Sequence, residues 1–257
     1  MSVIFRENGK TAILQLYREN GYNALDYETF LQLYDSLIKI KDSNFYKTVI
    51  ITGSGSKAFT AGADLKERVS MDSQEVQDYL EKARQTYLEI EALPQPVIAA
   101  VNGLCIGGGL EMSLACDVRI SASHSLFSLP EVKIGIIPGV GGTQRLLRAV
   151  GDLYAKELIL TGKKITAERA LSIGLINETV GEKPVLERAL EIAEEINQNA
   201  PLSVRESKAA INFGRSVTLE EGLQFEAEAY DRLLKTEDRN EALSAFKEKR
   251  KPVFRGR

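Results

Sequence analysis

Two short runs constrain the fold of this chain more than anything else in it. "TVIIT" at 48–52 and "VIAAV" at 97–101 hold no charged residue, and each runs straight into a glycine-bearing turn, "GSG" and "NG". Short, β-branched and uninterrupted by polar alternation, such runs read as strands covered on both faces. A chain that buries both faces of its strands needs helices to do the covering, and helical periodicity lies between the runs. Residues 26–42, "DYETFLQLYDSLIKIKD", place Leu31, Leu33, Tyr34, Leu37, Ile38 and Ile40 at mostly helical spacing, with Asp26 as a plausible cap. Residues 74–92 are helical and charged, and Pro94 and Pro96 end them.

The rest of the chain extends this pattern. "SVIFRE" and "TAILQLY" flank Asn8-Gly9, a two-residue turn signal for a hairpin. "GGLEMSLACD" at 108–117 reads as a short apolar helix, and "VRISA" and "LFSLP" as strands. Beyond about residue 140 the sequence reads as nearly all helical, from "TQRLLRAV" and "LYAKELILTG" to "TEDRNEALSAFKEKR". The shift predicts an α/β core followed by a helical C-terminal module. A length of 257 residues suits one large domain, or a domain with a smaller appendage.

Charge and composition exclude several classes. With 33 basic and 36 acidic residues the formal net charge is −3, so nothing points to nucleic acid or an anionic membrane surface. Cys105 and Cys116 sit in apolar sequence and read as buried reduced thiols. With a single histidine, His124, and no zinc spacing, no metal site is expected. The charged, alternating N-terminus lacks a signal-peptide core, and no apolar run reaches the roughly 18 residues of a membrane span, so a cytoplasmic location is expected.

Three glycine-containing segments carry the chemistry. "KAFTAGADLKE" at 57–67 follows a strand, and its small residues let backbone approach a ligand; taken alone it could be a plain tight loop. In "GLCIGGGLE" at 103–111, three glycines open a helix whose first N–H groups are unpaired and suited to a developing negative oxygen. Glu111 follows one turn in, though a capping acid would read the same way. In "FSLPEVKIGIIPGVGGTQRL" at 127–146, Glu131 lies among Leu129, Val132 and Ile134, surroundings that raise a carboxyl pKa; an exposed acid at a strand end is the plainer alternative. "GVGGTQ" fails as a dinucleotide fingerprint because Gln144 stands where the third glycine belongs, "TGKKIT" fails as a phosphate loop, and no serine elbow exists.

Together "AFTAGADLKE", "PVIAAVNGLCIGGGLEMSLACDVRI", "FSLPEVKIGIIPGVGGTQRLLRAVG", "ELILTGKKITAERALSIGLIN" and "FKEKRKPVF" resemble the enoyl-CoA hydratase/isomerase, or crotonase, family in order and spacing over essentially the whole chain. The resemblance implies an α/β fold, a spiral of ββα units over residues 1–195, with a helical trimerisation region at 196–257 and a trimer or dimer of trimers. It implies that the N–H groups of Ala63 and Gly108 hold a thioester oxygen. It matches Glu111 and Glu131 to the two hydratase acids, Glu111 as the main activator of water and Glu131 as the donor to C2, and Gly139 to a glycine whose backbone helps hold that water. Asp64, Leu65 and Lys66 match CoA-contacting positions, and Lys249 falls where relatives reach a CoA phosphate. Residues 68–90 correspond to the segment that sets acyl-chain specificity. The implied reaction adds water reversibly to a 2-enoyl-CoA, with acyl-CoA as substrate and no cofactor. A 3-enoyl-CoA isomerase and a non-catalytic acyl-CoA-binding scaffold are the competing readings. One departure is Gly21-Tyr22 before "NAL", where relatives commonly carry Arg-Pro.

Overall fold

A computed structural model describes all 257 residues. In chain order the elements are β1 (Val3–Asn8), β2 (Thr11–Leu16), α1 (Tyr27–Lys41), β3 (Thr48–Gly53), β4 (Ala58–Thr60), α2 (Leu65–Ser70), α3 (Ser73–Ala92), β5 (Val97–Val101), β6 (Leu104–Ile106), α4 (Gly108–Ala115), β7 (Val118–Ala122) and β8 (Leu126–Ser128). A 3-10 turn at Glu131–Ile134 leads to α5 (Gly142–Thr161), β9 (Ile165–Thr166), α6 (Ala167–Ser172), β10 (Glu178–Val180), α7 (Val185–Asn197), α8 (Pro201–Gly214), α9 (Leu219–Leu233) and α10 (Glu237–Glu248).

The strands form two sheets, ordered β1-β2-β3-β5-β7-β10 and β4-β6-β8-β9. In the first, only the β1–β2 hairpin is antiparallel. From β3 onward the chain repeats one move: a strand in the large sheet, a strand in the small sheet, then helix. It does so at β3-β4-α2/α3, at β5-β6-α4, and at β7-β8 followed by the 3-10 turn and α5. This spiral is what the resemblance implies.

The uninterrupted apolar runs follow from alternation across a sheet buried on both sides. Leu14, Val49, Ile51, Val97, Ala99 and Val101 belong to the main core with α1, α3 and α4. Their chain neighbours Ile13, Ile50, Ile98 and Ala100 face the other way, into a smaller core closed by Val185, Ala189 and Ala193 of α7. Those three lie four residues apart, and the alanines let the helix settle close to the sheet. At the end of α7, Asn197 accepts from the Thr48 hydroxyl at 2.8 Å and donates to the Thr11 hydroxyl at 2.9 Å, pinning the helix to β2 and β3.

Several local expectations are met, others corrected. Asp26 caps α1 through the Thr29 N–H. The helices expected at "TQRLLRAV" and "LYAKELILTG" are the two arms of α5, kinked at Gly151 (φ 78°, ψ 170°). Both cysteines are buried and unpaired, and burial pushes the Cys105 thiol up to about 12. The hairpin turn, however, is Gly9-Lys10, since Asn8 still pairs with Thr11 in the ladder. The C-terminal half is not all helical: β9 and β10 close the two sheets, and at two and three residues they are too short to show a period.

The C-terminal helices pack on one another and on the core. Phe213 and Phe225 stack at 4.5 Å between α8 and α9. Lys208 of α8 pairs with Asp117 at 2.7 Å and donates to the Gln95 carbonyl at 3.0 Å. No helix is long and apolar enough to cross a membrane.

Candidate active site

The site is built at the carboxyl ends of the small sheet's parallel strands, the edge where open α/β sheets hold ligands. β4, β6 and β8 lie side by side and parallel, with Ile106 opposite Ser128. Their exits are "AGAD", "GGGLE" and "LPE", so pairing alone gathers the three glycine-containing segments. Gly107 donates to the Ser128 carbonyl at 2.9 Å, and Glu131 then starts the 3-10 turn beside it. Gly107 has φ 54° and ψ −124°, which L-residues avoid, and a Cβ there would lie 2.9 Å from Glu131 Oε1. On the other side, the position a Gly62 Cβ would take is 3.5 Å from the Gly108 nitrogen.

Two N–H groups are left available here. Gly62 O accepts from Leu25 N at 2.8 Å and Asp64 N donates to Leu25 O at 2.9 Å, so both neighbours of Ala63 are tied down while its own N–H meets no acceptor in the protein. Gly108 is the first residue of α4, where an N–H has no intrahelical partner. Both loops are braced by α3. Tyr79 donates to Leu25 O at 2.8 Å and Tyr87 to Gly108 O at 2.7 Å; eight residues apart, both lie on the buried face of that helix. In the sequence they read only as part of the acyl-specificity segment. The signal available was their spacing with Ala83 and Ile90, which marks a core face.

Glu111 is 2% exposed and sits in the first turn of α4. Its Oε1 accepts from Val140 N at 2.9 Å and Gly142 N at 2.7 Å, and its Oε2 bonds to nothing in the protein. Burial pushes its pKa up to about 7, against those two N–H bonds and the Arg145 charge, which lower it; the Glu131 charge adds to the rise. Gly142 is required by space, because a Cβ would meet Glu111 Cγ at 2.9 Å and Pro138 Cβ at 2.8 Å. Glu131 also has a raised pKa, chiefly from burial, and its Oε2 is shielded from solvent with no partner, which favours the neutral acid.

Gly139 lies next to Val140, and its carbonyl accepts from Arg84 Nε at 2.9 Å, which ties this loop to α3. Asp64, Leu65 and Lys66 follow Ala63 directly. The Asp64 carboxylate caps α2, accepting from the N–H groups of Lys66 and Glu67 at 3.0 and 3.4 Å, while Leu65 is 57% exposed. Lys249 stands apart, ending α10 in a left-handed conformation (φ 55°). The roles of Val140, Gly142 and Arg145, and the bracing by Tyr79 and Tyr87, do not show in the sequence, because they depend on contacts between distant segments. The lone His124 is exposed and faces the Ser56 carbonyl.

Sequence comparison gives this arrangement a lineage. The model of the enoyl-CoA hydratase/isomerase family matches residues 6–257. The chain belongs to that family. Among family relatives, it is 42% identical to the short-chain-enoyl-CoA hydratase of Clostridium acetobutylicum over 97% of this chain and 96% of that one. It is 40% identical to the crotonyl-CoA hydratase of Syntrophomonas wolfei over 98% and 97%. The crystal structure of enoyl-CoA hydratase from Bacillus anthracis covers 100% of both chains with a TM-score of 0.98 at 44% identity. The fold is therefore that of the enoyl-CoA hydratase/isomerase family, C-terminal helices included.

Proposed function

We propose that the enzyme catalyses reversible addition of water across the double bond of a 2-enoyl-CoA, giving a 3-hydroxyacyl-CoA. The observation that carries this reading is a pair of carboxyls, Glu111 and Glu131, each with an Oε2 that meets no partner in the protein, beside two free backbone N–H groups. The thioester oxygen accepts from Ala63 and Gly108. Glu111, as carboxylate, takes a proton from water as the water oxygen bonds to C3, and the C2–C3 π pair moves toward the thioester, leaving enolate charge on its oxygen. Glu131, as the neutral acid, then gives its proton to C2. One proton has left water for Glu111 and one has left Glu131 for carbon; exchange between the two acids resets the site. Pre-aimed N–H donors are each worth about 3–4 kcal/mol to such an oxyanion, and positioned acid–base groups contribute roughly 10²–10⁴-fold. A pKa raised to about 7 suits Glu111 as a base near neutrality, and the upward shift that burial gives Glu131 favours its proton-carrying form.

The CoA moiety runs past Asp64, Leu65 and Lys66, with the Lys66 ammonium free for phosphate because the Asp64 carboxylate is committed to its own helix; Lys249, at the end of α10, corresponds to a cation that in relatives reaches a CoA phosphate, sometimes that of a neighbouring subunit. Gly139 helps hold the attacking water. Acyl-CoA is the substrate and no cofactor is needed.

The test is the enoyl-thioester absorbance of crotonyl-CoA, which should fall on adding enzyme. Glu111→Gln and Glu131→Gln should each slow that decay by roughly 10²-fold or more while still binding acyl-CoA. No decay with short, medium or branched 2-enoyl-CoAs discards the hydratase. If 3-enoyl-CoA in labelled water instead gives 2-enoyl-CoA, the isomerase reading stands.

A further inference from the structure

Glu111 is gripped by a loop, and the loop is gripped in turn. Val140 gives its N–H to Glu111 Oε1 at 2.9 Å, and its carbonyl accepts from Arg145 Nη1 at 3.0 Å. The guanidinium lies so close to Gly141 that a Cβ there would stand 2.1 Å from Nη1. The other edge of the same guanidinium donates from Nε and Nη2 to Glu91 Oε2 at 3.1 and 2.8 Å. Arg145 is largely buried, with its side chain 10% exposed, and Glu91 is part-buried at 30%. Glu91 lies in the last turn of α3 and also meets α8: Arg215 approaches its Oε1 at 3.4 Å, and Asn212 donates to its carbonyl at 3.3 Å.

We infer that Arg145, held in place by Glu91, is a positioning residue for Glu111: it fixes the Val140–Gly142 loop so that both N–H groups stay aimed at the carboxylate. This rests on the hydratase reading. An arginine needed only for packing would not have to span a loop carbonyl on one edge and a carboxylate on the other. The planar fork does both at once, and an ammonium cannot. The charge also acts on Glu111, which is faced by Tyr87 from α3, Glu131 from the 3-10 turn and Arg145 from α5. Arg145 is the cation of that set, so the proton affinity of Glu111 registers what happens to it.

The test uses the full chain with Arg145→Gln, Arg145→Lys and Glu91→Gln. Two readouts are taken: kcat and KM for crotonyl-CoA against pH, and the Glu111 carboxyl titration by infrared difference against Glu111→Gln. Misplacing a reacting group by an ångström costs roughly 10²-fold. Arg145→Gln should lower kcat by roughly 10–100-fold with KM little changed, and raise the Glu111 titration. Arg145→Lys keeps the charge without the fork, so its titration should stay near wild type while kcat still falls. Glu91→Gln leaves Arg145 less neutralised, so the titration should move the opposite way, downward. Lowered thermal stability with unchanged titration and kcat in all three overturns the inference. A wild type that does not hydrate enoyl-CoA defeats the hydratase reading instead, and the infrared titration still decides whether Arg145 and Glu91 act on Glu111.

Discussion

At the scale of a residue, Glu111 shows what the fold gives up for this site. The unfolded chain releases its proton at the ordinary 4.5, the folded chain near 7, because burial disfavours the charge. Between those values the folded state binds more protons, so this group's contribution to stability falls as pH rises through the window. By about pH 8 the cost is roughly 3 kcal/mol. Glu111→Gln keeps an oxygen for Val140 N and Gly142 N and has no charge to bury. Its stability relative to wild type should therefore increase from about pH 5 to about pH 8, measured by denaturant midpoints at both. An equal difference at both pH values would show that Glu111 is not strained by ionisation. The inactive variant should be the more stable protein at alkaline pH, the expected trade between activity and stability.

At the scale of an element, α3 serves as a brace as much as a core helix. Its N-terminus carries a full capping box between Asp72 and Glu75, and its buried face meets α1 through Phe30, which is 5.2 Å from Tyr79 and 5.9 Å from Tyr87 between ring centroids. The rings fill the core and the hydroxyls hold the Leu25 and Gly108 carbonyls, so packing and site geometry are set by the same side chains. Tyr87→Phe keeps the ring and removes the hydroxyl bond to the Gly108 carbonyl, which α4 still holds in its own ladder. The expected loss is about 0.5–1.5 kcal/mol of stability, together with a fall in kcat that exceeds any change in KM, read from thermal melts and steady-state hydration. Unchanged kcat would show that the Gly108 peptide is held adequately by α4 alone. The same helix carries Arg84 and, in its last turn, Glu91, so Leu25, Gly108, Gly139 and Arg145 all answer to one rigid element.

At the scale of the whole molecule, the C-terminal helices expose more apolar side chain than an isolated chain needs. Leu219 is 80% exposed, Leu243 56% and Phe246 86%, on α9 and α10. We propose that these exposed apolar side chains contribute to the contact of the homo-oligomer that the family resemblance implies. Phe246→Glu should shift sedimentation toward the monomer, with secondary structure unchanged by circular dichroism. A wild type that already sediments as a monomer would remove the proposal.

What was legible from sequence alone follows from local physics. A short uncharged run of apolar and β-branched residues reads as a strand covered on both faces, so β3 and β5 could be read directly. Asp26 announced α1 because a cap acts within three residues. The glycine triplet before Glu111 and the apolar company of Glu131 were visible because backbone freedom and desolvation leave a compositional mark. What only the tertiary structure decided are the contacts whose partners lie far apart in the chain: Tyr87 with Gly108, Val140 and Gly142 with Glu111, and Arg145 with Glu91, 21 to 54 residues distant. Single hydrogen bonds impose no periodicity on a sequence. They exist because β4, β6 and β8 pair in parallel and bring their ends to one edge, and strand pairing is a property of the folded sheet, to which each strand contributes only its own propensity.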